Sequence, residues 1–142
     1  MRRNKVSATG AAVIEFAFVL PLLLILFFGI VEFSVAFYNK AIITNASREA
    51  ARSGIVYVGP GTRLSDERIR AIALASSQGL ITFNHRDAAP TVAIAVTDSP
   101  DFEQDLLTVT VHYQYSGLGL GAILTAVTEP MDLTASTTMK IE

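Results

Sequence analysis

Acidic side chains carry most of the chemistry this chain could do. Asp98, Asp101, Glu103 and Asp105 crowd one short stretch and could offer oxygen ligands to Ca2+. Their spacing does not follow the EF-hand loop, so a solvated hairpin connection is the simpler expectation. Only two histidines are available. His85 stands in loop-like sequence beside Arg86 and Asp87. His112 alternates with apolar residues, which places it on the exposed face of a strand rather than at a metal. Cysteine is absent, which excludes disulfides, thiolate metal sites and a Cys nucleophile. The serines lack a nucleophile elbow or a Ser-x-x-Lys setting, and the GLGLG run lacks the Lys-Ser/Thr of a phosphate loop. With 11 basic and 13 acidic residues and a net charge of −2, nothing in bulk charge calls for nucleic acid. The expectation is no enzyme, no cofactor, no metal, no nucleic acid and no small-molecule substrate. Two carboxylates remain in an unusual place: Glu15 and Glu32 sit inside the most apolar stretch of the chain.

That stretch must position them. The chain has 142 residues, of which 51% are hydrophobic, enough for one small domain with an appended element. A basic start with Arg2, Arg3 and Lys5 gives way to Ala11–Phe37, where Glu15, Glu32 and Ser34 are the polar side chains. As a helix the stretch spans about 40 Å, more than the ~30 Å of a hydrocarbon core. Glu15 and Glu32 are separated by about 26 Å along the axis, so each can stand near an opposite boundary and neither must lie at the midplane. The basic start stays cytoplasmic under the positive-inside rule, and the rest of the chain then lies across the membrane. A cleaved signal peptide is the competing reading, with Ser34-Val35-Ala36 as its small-residue site. The apolar run is longer than the usual signal core, so a retained anchor is expected.

The helix does not end with the apolar run. Residues 38–54 contain no proline, and their first glycine is Gly54. Ile42, Ala46 and Ala50 recur at helical spacing with Ile43 beside them, while Lys40, Arg48, Glu49 and Arg52 occupy other angles. Arg48 and Arg52 suit a helix C-terminus, and Gly54 fits the C′ position. The small-residue stripe is either one side of a stalk or a surface for similar helices. Pro21 predicts a kink near residues 17–21.

The distal residues read as an α+β head. The VGPGT segment within 56–63 breaks the chain. Ser65 can cap a second helix with Asp66 and Glu67 in its first turn and Leu64 stapled to Ile69. Ile69, Ile72 and Ala73 form its inner face, and Gly79 closes it. Period-two alternation predicts three strands. Val92, Ile94 and Val96 share a face in 91–97. Leu107, Val109, Val111, Tyr113 and Tyr115 point inward in 107–115. In 131–141, Leu133, Ala135, Thr137, Met139 and Ile141 oppose Asp132, Thr134, Ser136, Thr138 and Lys140. The apolar, glycine-rich GLGLGAILTAV is a loop or a subunit contact. The expected organisation is a leader at 1–10, a long helix at 11–54 that is transmembrane in its first part, and a head at 55–142 with one short helix and an antiparallel sheet of about three strands.

The start of the apolar run has a recognisable order. Gly10 is followed by Ala11-Ala12-Val13-Ile14 and then by Glu15-Phe16, AFVLP with Pro21, a Leu-rich run and GIVEF. This order resembles prepilin-type substrates, and most closely the TadE/TadF-like pseudopilins of the Tad (Flp) pilus system. NASREAARSG is similar to that family's helix continuation and TASTTMKIE to its closing strand. The resemblance implies cleavage by a prepilin peptidase between Gly10 and Ala11. It implies that Glu15, with Phe16 and Pro21 beside it, serves assembly by pairing with the new α-amine of a neighbouring subunit. The simpler reading of Glu15 is an interfacial acid that snorkels. Glu32 is expected to be an acid at the outer interface.

The resemblance further implies a minor pilin in the bacterial inner membrane that assists assembly of Tad pili, and so adherence and surface colonisation. Its partners would be the prepilin peptidase, other Tad pilins or pseudopilins, pilus platform proteins and the lipid bilayer. Two other readings stand beside it: an unprocessed single-pass component of the secretion apparatus, and a secreted binding module released by signal-peptide cleavage.

Overall fold

The computed structural model describes residues 6–59, 62–82, 89–98, 105–117 and 130–141. One helix, α1 (Val6–Gly54), is followed by the short strands β1 (Tyr57–Gly59) and β2 (Thr62–Arg63) and a second helix, α2 (Asp66–Ser76). Strands β3 (Thr91–Thr97), β4 (Leu106–Tyr115) and β5 (Met131–Lys140) complete the order. The chain divides into two units, one ending at Ser34 and one beginning at Val35. The fold is α+β, as the hydropathy pattern predicts.

The first unit is bare helix. Branched aliphatic and aromatic residues fill it, and α1 continues without interruption through Pro21. Among its side chains, Phe16, Phe18, Leu22, Ile25 and Ile30 are all exposed. No part of the most apolar window is buried within the protein, and the helix is long and apolar enough to cross a membrane. A soluble fold would bury such a surface; its exposure fits a membrane-anchored helix.

The second unit has a core built on a three-stranded antiparallel sheet in the order β3-β4-β5. Register is continuous, with Thr91 opposite His112, Val111 opposite Ala135 and Tyr115 opposite Met131. The alternating sequences impose this register, because a slip by one residue would turn every apolar side chain to water. Leu107, Val109, Val111, Tyr113, Tyr115, Leu133, Ala135 and Ile141 are buried on one face. The other face carries cross-strand polar pairs: Thr108 with Thr138 (2.9 Å), Thr110 with Ser136 (3.0 Å) and His112 Nδ1 with Thr134 (2.9 Å). His112 is therefore on the exposed face, as its alternation predicts. Val96 shares the inner face of β3 but remains 44% exposed.

The later turns of α1 belong to this core. Ala36, Ile43, Ala46, Ala50 and Ala51 are buried, so the stripe is centred on Ile43, with Ile42 only half-buried. The stripe of small residues is therefore used within the chain, in one core with the sheet and α2. In α2, Ile69 and Ala73 are buried and Ile72 and Leu64 pack partly against the same core.

Three local expectations are corrected. Gly54 is the last helical residue rather than a left-handed C′ cap. Its function is steric: a Cβ there would lie 2.5 Å from Leu107 Cδ2 and 2.7 Å from Ile69 Cδ1. Ser65 occupies the N-cap of α2, but its side chain makes no capping bond. Its carbonyl instead accepts from the amides of Arg68 (2.9 Å) and Ile69 (3.0 Å), and Arg63 pairs with Asp66 at 2.8 Å. The helix stops at Ser76, with Ser77 as cap, before Gly79. The Ser77 hydroxyl donates back to the Ala73 carbonyl at 2.7 Å and stays buried. The break expected around residues 56–63 contains the antiparallel pair β1–β2.

Candidate functional site

The residues singled out by type and spacing lie on the early turns of α1. Gly10, Ala11, Glu15, Phe16 and Pro21 are all exposed. The position of a Cβ on Gly10 meets nothing within 4 Å. Ala11 and Glu15 are one helical turn apart and share a face. Phe18, Val19 and Leu22 follow Glu15 at i+3, i+4 and i+7 and are 79%, 58% and 71% exposed. The carboxylate thus stands in a continuous exposed apolar stripe, and among the described residues no ion pair to it is found. The sequence places these five residues within about three helical turns; among the described residues no hydrogen bond or ion pair to their side chains is found.

This arrangement offers one carboxylate, set among apolar side chains, to a cation. An unpaired carboxylate in hydrocarbon costs on the order of 3 kcal/mol, so a cation arriving from outside the helix gains by meeting it. The apolar neighbours exclude water and strengthen such a pair.

The remaining candidates do not converge. Asp98 and Asp105 are exposed, whereas Asp101 and Glu103 lie outside the described residues, as do His85, Arg86 and Asp87 and most of the glycine-rich run from residue 118. Among the described residues no three His, Cys, Asp or Glu side chains are grouped to hold a metal. A shallow depression at one end of the sheet is lined by Thr91, His112, Gln114 and Asp132.

Three polar groups that the hydropathy pattern does not single out organise the second unit. Asn39 is fully buried on α1, donating from Nδ2 to the Ile81 carbonyl and accepting from the Ile81 amide, both at 2.9 Å. Lys40 donates from Nζ to the main-chain oxygen of Thr134. Ser47 donates to the Thr44 carbonyl (2.9 Å) and accepts from the Thr137 hydroxyl at 2.8 Å. Asn39 and Ser47 are spaced like Ile43 and Ala50, and polar residues within a buried stripe are the signal that could have marked them.

No curated protein and no solved structure matches the chain. One family model does, over residues 10–52. The match opens on Gly10, takes in the apolar run with Glu15, and closes two residues before the end of α1. That model is the one described as TadE-like protein, and the similarity is confined to these residues of the long helix.

Proposed function

We propose that this chain is a minor pilin, or pseudopilin, that assists assembly of Tad (Flp) pili. The supporting observation is the coincidence of the TadE-like match with a lipid-exposed helix that carries one carboxylate a turn beyond Ala11. Its work is packing and charge pairing, without catalysis. The lipid bilayer holds the apolar helix, with Arg2, Arg3 and Lys5 on the cytoplasmic side and the α+β unit across the membrane.

A prepilin peptidase cuts between Gly10 and Ala11. Helix α1 extends back to Val6, so the amides of Ala11 to Ile14 have helical partners in the uncut chain. Cleavage removes those partners, turns the Ala11 amide into a cationic α-amine and leaves the three N–H groups of Ala12, Val13 and Ile14 unsatisfied. The Glu15 carboxylate of a neighbouring subunit answers that positive end. The pairing holds two helices in axial register, and it cannot form before processing. Other Tad pilins and the pilus platform proteins are the partners that meet the helix.

The amino terminus of the protein isolated from piliated cells tests this reading. Ala11 supports it. Met1 would indicate an unprocessed membrane component, and a start at residues 35–37 or later a secreted module; either result overturns the proposal.

A further inference from the structure

Strand β3 forms an open edge of the sheet, and its sequence is a palindrome. Thr91-Val92-Ala93-Ile94-Ala95-Val96-Thr97 reads alike in both directions from Ile94. Among the described residues no strand lies on its far side, and none of its seven residues is buried. Natural edges are commonly protected by a charge, a proline or a bulge. Within 91–97 β3 has none of these. The other edge is better protected: β5 carries Asp132 and Lys140, and Lys40 bonds to the Thr134 main-chain oxygen.

One hydrogen bond fixes which main-chain groups of β3 are unused. The Ile141 amide donates to the Asp105 carbonyl at 2.9 Å, just beyond the Leu106–Lys140 pair. Main-chain groups alternate in direction along a strand. Leu107, Val109 and Val111 therefore turn theirs to β5, and Thr108, Thr110 and His112 turn theirs to β3. Opposite the latter three stand Ala95, Ala93 and Thr91, whose groups are used inside the sheet. The N–H and C=O of Val92, Ile94 and Val96 face the open edge. Arg70, reaching from α2, agrees with this phase: its Nε donates to the Val92 carbonyl at 3.4 Å.

We infer that β3 is a docking edge for β3 of a second copy of this chain, paired antiparallel about a two-fold axis between the two Ile94 residues. That register sets Ile94 against Ile94, Val92 against Val96, Ala93 against Ala95 and Thr91 against Thr97, so each side chain meets its own type. The outward residues exchange about six main-chain hydrogen bonds, two for each facing pair. The ends match in charge as well. Asp98 is exposed and continues the row of Val92, Ile94 and Val96. In the pair it stands about 7 Å beyond the Val96 that faces Val92, within reach of the Arg70 guanidinium of the other copy. The same contact recurs across the axis.

The later turns of α1 run in the direction of β5, meeting it at Thr134 through Lys40 and at Thr137 through Ser47. The two-fold axis stands perpendicular to the sheet, so these turns run in opposite directions in the pair. The contact joins oppositely directed copies and is independent of the pairing proposed for Glu15.

The chain has no cysteine, so single thiols report one contact each. The full chain in detergent micelles is oxidised after each substitution. Ile94→Cys should form a disulfide dimer several-fold more readily than Ser136→Cys on the polar sheet face. Val92→Cys should cross-link to Val96→Cys, and neither to itself. Self-linkage at both positions would mean parallel pairing, and an Ile94→Cys yield no higher than that of Ser136→Cys would place any dimer on another surface; either result overturns the inference. Sedimentation of the cysteine-free chain should show a concentration-dependent dimer. Val96→Pro removes an outward N–H that the sheet does not use, and should weaken that dimer about tenfold. Arg70→Glu should weaken it several-fold, and Arg70→Glu with Asp98→Arg should restore it. A monomer at every concentration, or a dimer indifferent to all of these substitutions, refutes the pairing.

Discussion

Asn39 and Ile81 hold each other through two hydrogen bonds of 2.9 Å across a sequence separation of 42 residues. The side-chain amide offers a donor and an acceptor in the geometry of a strand neighbour, and so satisfies both main-chain groups of one turn residue. Asn39→Leu should therefore remove two bonds and leave buried groups unmatched, destabilising the second unit by about 1–3 kcal/mol. Hydrogen exchange checks this directly: the Ile81 amide should lose protection even where global unfolding is little changed. Unaltered protection at Ile81 would contradict the clasp.

Gly54 is tight for a different reason. Its neighbours Leu107 and Ile69 are fully buried, so neither can retreat into solvent from an added Cβ. Gly54→Ala should cost about 1–3 kcal/mol through overpacking, visible as a lower unfolding midpoint. Gly10→Ala, where a Cβ meets nothing, should leave that midpoint unmoved.

The two ends of α1 should respond oppositely to truncation. Ile43 is wholly buried and Ile25 is 68% exposed. Ile43→Ala should destabilise the folded unit by about 2–5 kcal/mol in denaturant titration. Ile25→Ala should leave that titration unchanged, its effect being confined to contacts with lipid or other helices.

Glu15→Ala removes a charge from an apolar stripe, so membrane insertion should be kept or improved. Assembly should nevertheless fall, read as fewer pili and weaker co-purification with other pilins. Normal pilus output from this variant would end the charge-pairing account.

Much of the fold is legible without coordinates. The sheet is readable because a period of two with one buried face admits a single register, as Val109, Val111 and Tyr113 show. The amino-terminal helix is readable because residues 16–31 form an unbroken apolar run long enough to cross a membrane. Gly54, Ser65 and Gly79 were less transparent. Each has the right type for a helix-end role, yet tertiary packing at Leu107, carbonyl bonding at Ser65 and the Ser77 cap decide what happens there. Asn39 was hidden because its meaning depends on a partner far along the chain. The early carboxylate could be found by eye, since a charge among phenylalanines and leucines demands a reason.

Burial of Ala36, Ile43, Ala46 and Ala50 has a geometric consequence for crowding. Before Ser34 the helix offers its whole circumference to neighbours. Beyond Ala36 the outward strip runs through Phe37, Tyr38, Ala41, Asn45, Arg48, Glu49 and Arg52. The helix thus changes valence along its length, from a ring of equivalent sides to a single one, and any bundle it joins must be many-sided low down and directional higher up.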